Sequence, residues 1–192
     1  MSANVKDMTS GSPIKLLINF ALPLMFGNIF QQLYTIVDTV VVGKGLGVNA
    51  LAALGAVDWF NWMVIGVATG FTQGFSILIA QHFGAGRFGN LRKTLAASTI
   101  LSGVIAVVTL IVSQLAARPM LVLLNTPEYI MADALSYVRV AFSGIIVVMA
   151  YNLLAAVLRA LGDSKTPLIA MIIAAAINVV LDVVFVIGLG LG

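Results

Sequence analysis

The chain has 192 residues, of which 61% are apolar and only 9% charged, with 18 glycines and a mean hydropathy of +1.11. Soluble domains carry about 25% charged residues and cannot hide this much apolar surface at such a length, so a soluble fold is excluded. Zero cysteines and five prolines exclude disulfide scaffolds and collagen, and a net charge of +3 from ten scattered Lys and Arg is too thin for a nucleic-acid surface.

The stretch 1–12 is polar, so no cleavable signal peptide is expected before the first span. Ser12 and Pro13 then read as a helix cap and first helical position, opening a helix over 13–43. The turn Gly43-Lys44-Gly45-Leu46-Gly47 lacks the preceding strand and the Gly-Lys-Ser/Thr ending of a phosphate loop. Helices over 48–83, 90–118, 127–161 and 166–190 follow. They are separated by Gly84-Ala85-Gly86-Arg87, by Asn125-Thr126-Pro127-Glu128, and by Gly162-Asp163-Ser164-Lys165-Thr166-Pro167. Each contains a stretch close to the roughly 20 apolar residues a bilayer crossing needs. The alternation of a barrel is absent, so the expected fold is all-α, with five transmembrane helices in one domain over 1–192.

Lys6, Lys15, Arg87, Arg92, Lys93, Arg159 and Lys165 fall on one side of these spans, and Lys44, Arg118 and Arg139 on the other. This places the N-terminus in the cytoplasm. Arg139 and Arg159 bracket the fourth helix about 30 Å apart at ~1.5 Å per residue. Gly188-Leu189-Gly190-Leu191-Gly192 follows an apolar helix directly and reads as a connection to a further helix, so a fragment is expected.

Ionisable groups inside a span are costly and mark function by default. On the first helix Asn28, Gln31, Thr35 and Asp38 are spaced 3, 4 and 3, which puts them on one face above Pro23. On the fifth, Asp182 lies one turn beyond Asn178, with no further charge after it. An amide oxygen and two carboxylates make a hard-oxygen site suited to sodium or a proton. Two acids in one dry pocket would hold a proton and release it when water or a cation enters. Asp58 opens a weaker polar face with Asn61 and Thr69 beside the interfacial Trp59 and Trp62. Asn152 lies in the middle of the fourth span, as a helix–helix clamp or as support for the cation site.

These residues resemble the multidrug and toxic compound extrusion (MATE) transporters. The resemblance rests on Pro23, Gln31 and Asp38, on Val42-Gly43 and Leu51-Ala52-Ala53-Leu54-Gly55, and on Gly84-Ala85-Gly86. It continues through Arg159-Ala160-Leu161-Gly162-Asp163-Ser164-Lys165-Thr166-Pro167 to Asn178 and Asp182. What it implies is an exporter of two six-helix lobes in the cell membrane, driven by Na+ or H+ and carrying organic, often cationic drugs or toxic metabolites. The chain would then be five helices of the N-terminal lobe, lacking helix six and the C-terminal lobe. Asp38, Asn178 and Asp182 would form the coupling-ion site, supported by Asn152, Gln31 and Thr35. Asn28, Tyr34, Asp58, Asn61 and Thr69 would line the cavity.

No enzyme, cofactor or nucleic-acid partner is expected. The competing readings are a lipid-linked oligosaccharide flippase and a non-transporting structural subunit. The flippase would need a basic cavity, and the spans offer no Lys or Arg for one.

Overall fold

Five membrane spans follow one another through short turns in the computed structural model, which describes residues 11–45 and 47–189. Lys6, Leu46 and the terminal Gly190-Leu191-Gly192, all used in the sequence reading, lie outside the described residues. The helices are α1 (Pro13–Gly45), α2 (Val48–Gly84), α3 (Phe88–Leu123), α4 (Glu128–Ser143), α5 (Ile145–Ala160) and α6 (Lys165–Asp182). A single π-helical turn, Val183–Gly188, continues α6. No strand occurs among the described residues, and α4 with α5 forms one span bent by 47°.

That bend corrects the reading of one straight helix over 127–161. It falls at Ser143-Gly144, where the Ser143 hydroxyl donates to the Val140 carbonyl (2.6 Å) and the Gly144 N–H to Ala141 O (3.2 Å). A Ser-Gly pair is a common cause of a sharp kink, because serine competes for backbone acceptors and glycine adds no side chain to hold the axis. Arg139 and Arg159 therefore do not bracket one straight rod. Helix α3 runs five residues further than expected, past Pro119 to Leu123. Ala117 and Leu121 are fully buried on either side of that proline, so packing holds the last turn despite the lost hydrogen bond.

Three turns end by the same device. Behind α2, α3 and α5 stand Gly86, Asn125 and Gly162 with φ of 67°, 54° and 86°. The next N–H in each case reaches back over the turn: Arg87 to His82 O, Thr126 to Leu121 O, and Asp163 to Leu158 O. A left-handed residue there satisfies carbonyls that the helix end would leave bare.

Packing sorts the spans into two groups. In the first, α2, α3 and the bent α4–α5 span share a core built on Val57, Phe60, Val64, Ala117, Leu121, Ala134, Val138, Phe142 and Ile145. Phe60 and Phe142 meet edge to face at 4.9 Å and 86°. Helix α3 turns small residues inward (Ser98, Ser102, Ala106, Ser113, Ala117), which is how helices approach closely where no hydrophobic drive separates protein from lipid.

In the second group, α1 pairs with α6, and glycine fixes their register. A Cβ on Gly27 would lie 3.1 Å from Met171 Cε, and one on Gly45 only 2.6 Å from Val186 Cγ1. The two helices therefore run parallel and touch at both ends of their contact.

Candidate functional site

The register just described sets two carboxylates at one height. Eleven residues separate Gly27 from Asp38, and eleven separate Met171 from Asp182, an equal rise of about 16 Å. The Asp38 and Asp182 side chains meet within hydrogen-bonding reach of each other. Asn178 stands one turn below Asp182 on α6. Both Asn178 Oδ1 and Asp182 Oδ2 are shielded from solvent and accept no hydrogen bond from any donor among the described residues.

Two ionised carboxylates cannot donate to each other, and a buried oxygen without a donor is costly. A shared proton or a small hard cation would satisfy both. The donor set Asp38, Asn178 and Asp182 fits such an ion. Among the described residues, no three His, Cys, Asp or Glu side chains converge, at this pair or elsewhere, so Asn178 is the third oxygen donor of the set. Just past Asp182 the helix widens into the π-helical turn, with Leu189 N–H bonded to Val184 O at 3.0 Å. Such bulges recur at functional sites, and nothing in the Val-rich run announced it.

The supporting residues of the sequence reading are placed differently. Thr35 donates its hydroxyl to Gln31 O (2.9 Å) on its own helix. Asn152 likewise donates its amide to Val148 O (2.9 Å). Among the described residues no hydrogen bond brings either side chain, or that of Gln31, to the carboxylate pair. Thr69 donates to Ile65 O (2.6 Å), and Asn61 is half-buried on α2. Asn28 faces a groove against α2 and α5, away from the pair.

Tyr34 and Asp58 are drawn together by a residue the sequence reading missed. Tyr137 on α4 has Asp38, Asp58 and Tyr34 as its electrostatic neighbours, so elements from both packing groups reach the acid pair. Its only signal was position: a tyrosine one residue before the buried Val138, on a helix whose Ile130, Ala134, Val138 and Phe142 define the packed face.

Below the pair, the α5–α6 connection is tightly built. Asp163 is buried, and its Oδ1 accepts from the N–H groups of Lys165 (3.1 Å) and Thr166 (3.0 Å), while Oδ2 accepts from Thr166 Oγ1 (2.6 Å). This caps α6 and fixes where its climb toward Asn178 and Asp182 begins.

Residues 23–184 match the MatE family. The chain is 30% identical over 180 residues to "Probable multidrug resistance protein YpnP" of Bacillus subtilis, an alignment covering 94% of this chain and 40% of that protein. It is similar to the crystal structures of a MATE in the straight and in the bent conformation, with TM-scores of 0.88 and 0.89. Both are 28% identical to it, and each match covers 99% of this chain and 42% of the other. The chain thus spans about two fifths of the length of the proteins it matches.

Proposed function

The chain belongs to the MatE family, and from that membership and its half-buried acid pair we propose that it forms the coupling-ion half of a secondary active exporter. The observation that carries the coupling role is the convergence of Asp38 and Asp182 with buried oxygens that lack donors. In this reading Na+ or H+ binds the two carboxylates with Asn178. Helix six and a C-terminal lobe outside this chain complete the transporter, and the N-terminus is cytoplasmic. The exported compounds are organic, often cationic drugs or toxic metabolites, which is in keeping with the multidrug resistance names of its relatives.

The cycle follows from electrostatics. With an ion bound, the carboxylates are held together and α1 stays against α6. Without it they repel, and separating them is favoured most where the dielectric is low. Helix α1 has a place to yield, because Pro23 removes one backbone hydrogen bond four residues below Gly27. Ion occupancy then shifts the population between two α1 arrangements, and cargo that binds one of them better is thereby coupled to the ion. A structural relative has been solved in a straight and in a bent conformation, which is in keeping with a protein of two states.

The test is Asp38→Asn in the full-length protein that carries this chain. Ion-driven efflux is expected to fall by at least about tenfold, the effect of roughly 1.4 kcal/mol of lost ion binding, while membrane insertion is unchanged. Drug efflux at the wild-type rate in a properly inserted variant would sink the assignment.

A further inference from the structure

At the end of the bundle where Lys15, Arg87, Arg92, Lys93, Arg159 and Lys165 collect, a groove of about 460 Å³ opens between α1, α2 and α5. That volume lies in the range of drug-sized ligand sites. Its apolar wall includes Phe20, Leu24 and Ile77, and its polar side carries Asn28, Gln73 and Arg159. Ser76 also lines it but donates its hydroxyl to Gln73 O (2.7 Å), leaving Arg159 and two amides as donors with no side-chain acceptor among the described residues. Among the described residues no carboxylate lines the groove.

Arg159 is half-buried, and a cationic side chain with no acid beside it among the described residues has lost part of its hydration without a compensating charge from them. Arg159 also lies in the last turn of α5, where a cation suits the helix dipole. That duty needs only a charge near the helix end and does not explain two amides converging on the same groove.

Charge and depth decide among the possible occupants. A cation is repelled by Arg159. A phospholipid with its headgroup at Arg159 would run its chains upward past Asn28. That residue stands about 22 Å along α1 from Pro13 at ~1.5 Å per residue, deep in the hydrocarbon layer. Chains there would leave the Asn28 and Gln73 amides unsatisfied. The opposite side of α1 shows the contrast: its groove is lined by Leu22, Pro23, Phe26, Leu168 and Ile169 with Lys165, with no side-chain amide among the described residues.

We propose that the α1–α2–α5 groove binds a small organic anion, an apolar or aromatic body carrying one oxyanion group. Arg159 is the charge partner, Asn28 and Gln73 the neutral donors, and Phe20, Leu24 and Ile77 the seat of the body. An oxyanion takes charge-assisted hydrogen bonds from the guanidinium fork, which are stronger than amide bonds alone. The compound's role as export cargo rests on the exporter reading above; its binding does not.

The experiment uses the full-length protein in phosphatidylcholine nanodiscs, with 1-naphthyl phosphate, 1-naphthol and inorganic phosphate as probes. The aryl phosphate is expected to bind at least about tenfold tighter than either half alone. Arg159→Gln should bring its affinity to within about threefold of naphthol, and Arg159→Lys should keep most of the preference. Asn28→Ala and Gln73→Ala, which retain Arg159, should each weaken the aryl phosphate several-fold, so a misfolded Arg159→Gln would not end the test. Three results overturn the proposal: equal affinity for aryl phosphate and naphthol, a preference that survives in folded Arg159→Gln, or aryl phosphate displaced when phosphatidylglycerol replaces the neutral lipid. Binding is read without transport, so failure here and failure of the Asp38→Asn efflux test remain distinguishable.

Discussion

Gly45→Ala offers a measurement of how closely the α1–α6 register controls the acid pair. The added Cβ would lie 2.6 Å from Val186 Cγ1, against an optimal carbon separation of about 3.5–4.0 Å. Valine has little rotamer freedom, so the relief comes from the helices. The top of α1 must retreat by about 1 Å. If α1 pivots on its contact at Gly27, Asp38 lies eleven eighteenths of the way up and moves by about 0.6 Å. A shared O–H···O bond tolerates only about 0.5 Å between its short and long limits, so most of it is lost. The expected cost is about 1–3 kcal/mol in stability, with ion affinity reduced by about tenfold.

Gly27→Ala is the built-in control. Its Cβ would meet the mobile end of Met171 at 3.1 Å, which can move by a few tenths of an ångström without shifting a helix. Its effect on ion response should be within about twofold of wild type. The assay is ion-induced thermal stabilisation of the full-length protein, read beside the distance between spin labels on α1 and α6. An unchanged ion response in Gly45→Ala, or a larger loss in Gly27→Ala, refutes the register argument.

Asp163→Ala removes two backbone caps and the Thr166 hydroxyl contact at the start of α6, and should cost about 1–2 kcal/mol. Asp163→Asn, which keeps an acceptor, should recover part of it, and a melting curve in detergent that does not separate the two variants contradicts the capping role. Phe142→Ala empties a fully buried position against Phe60 and should destabilise by about 3–5 kcal/mol. A loss below about 1 kcal/mol in reversible unfolding would mean that α4 contributes little to the core.

Much of the candidate site was legible because the bilayer makes polar residues conspicuous. Asp38 and Asp182 stood out as charges that a span cannot hold without reason, and Asn178 followed from helical spacing. Gln31, Thr35 and Asn152 were chosen by the same spacing, yet Thr35 and Asn152 turn their side-chain donors to their own helix backbones. Periodicity reports which face a residue occupies, and it is silent on whether a hydroxyl or amide is already used one turn below. Tyr137 escaped because its importance comes from Asp38 and Asp58, which lie on two other helices.

By itself the sequence determined the solvent, the five spans, their turns and the acids worth watching, since hydropathy, glycine stops and buried charge are local properties. The bend at Gly144, the π-helical turn after Asp182 and the pairing of α1 with α6 belong to the tertiary structure alone. Each depends on how closely two helices approach, and that is set by contacts such as Gly45 with Val186 between residues far apart in the chain. The same contacts decide that two carboxylates on separate helices meet.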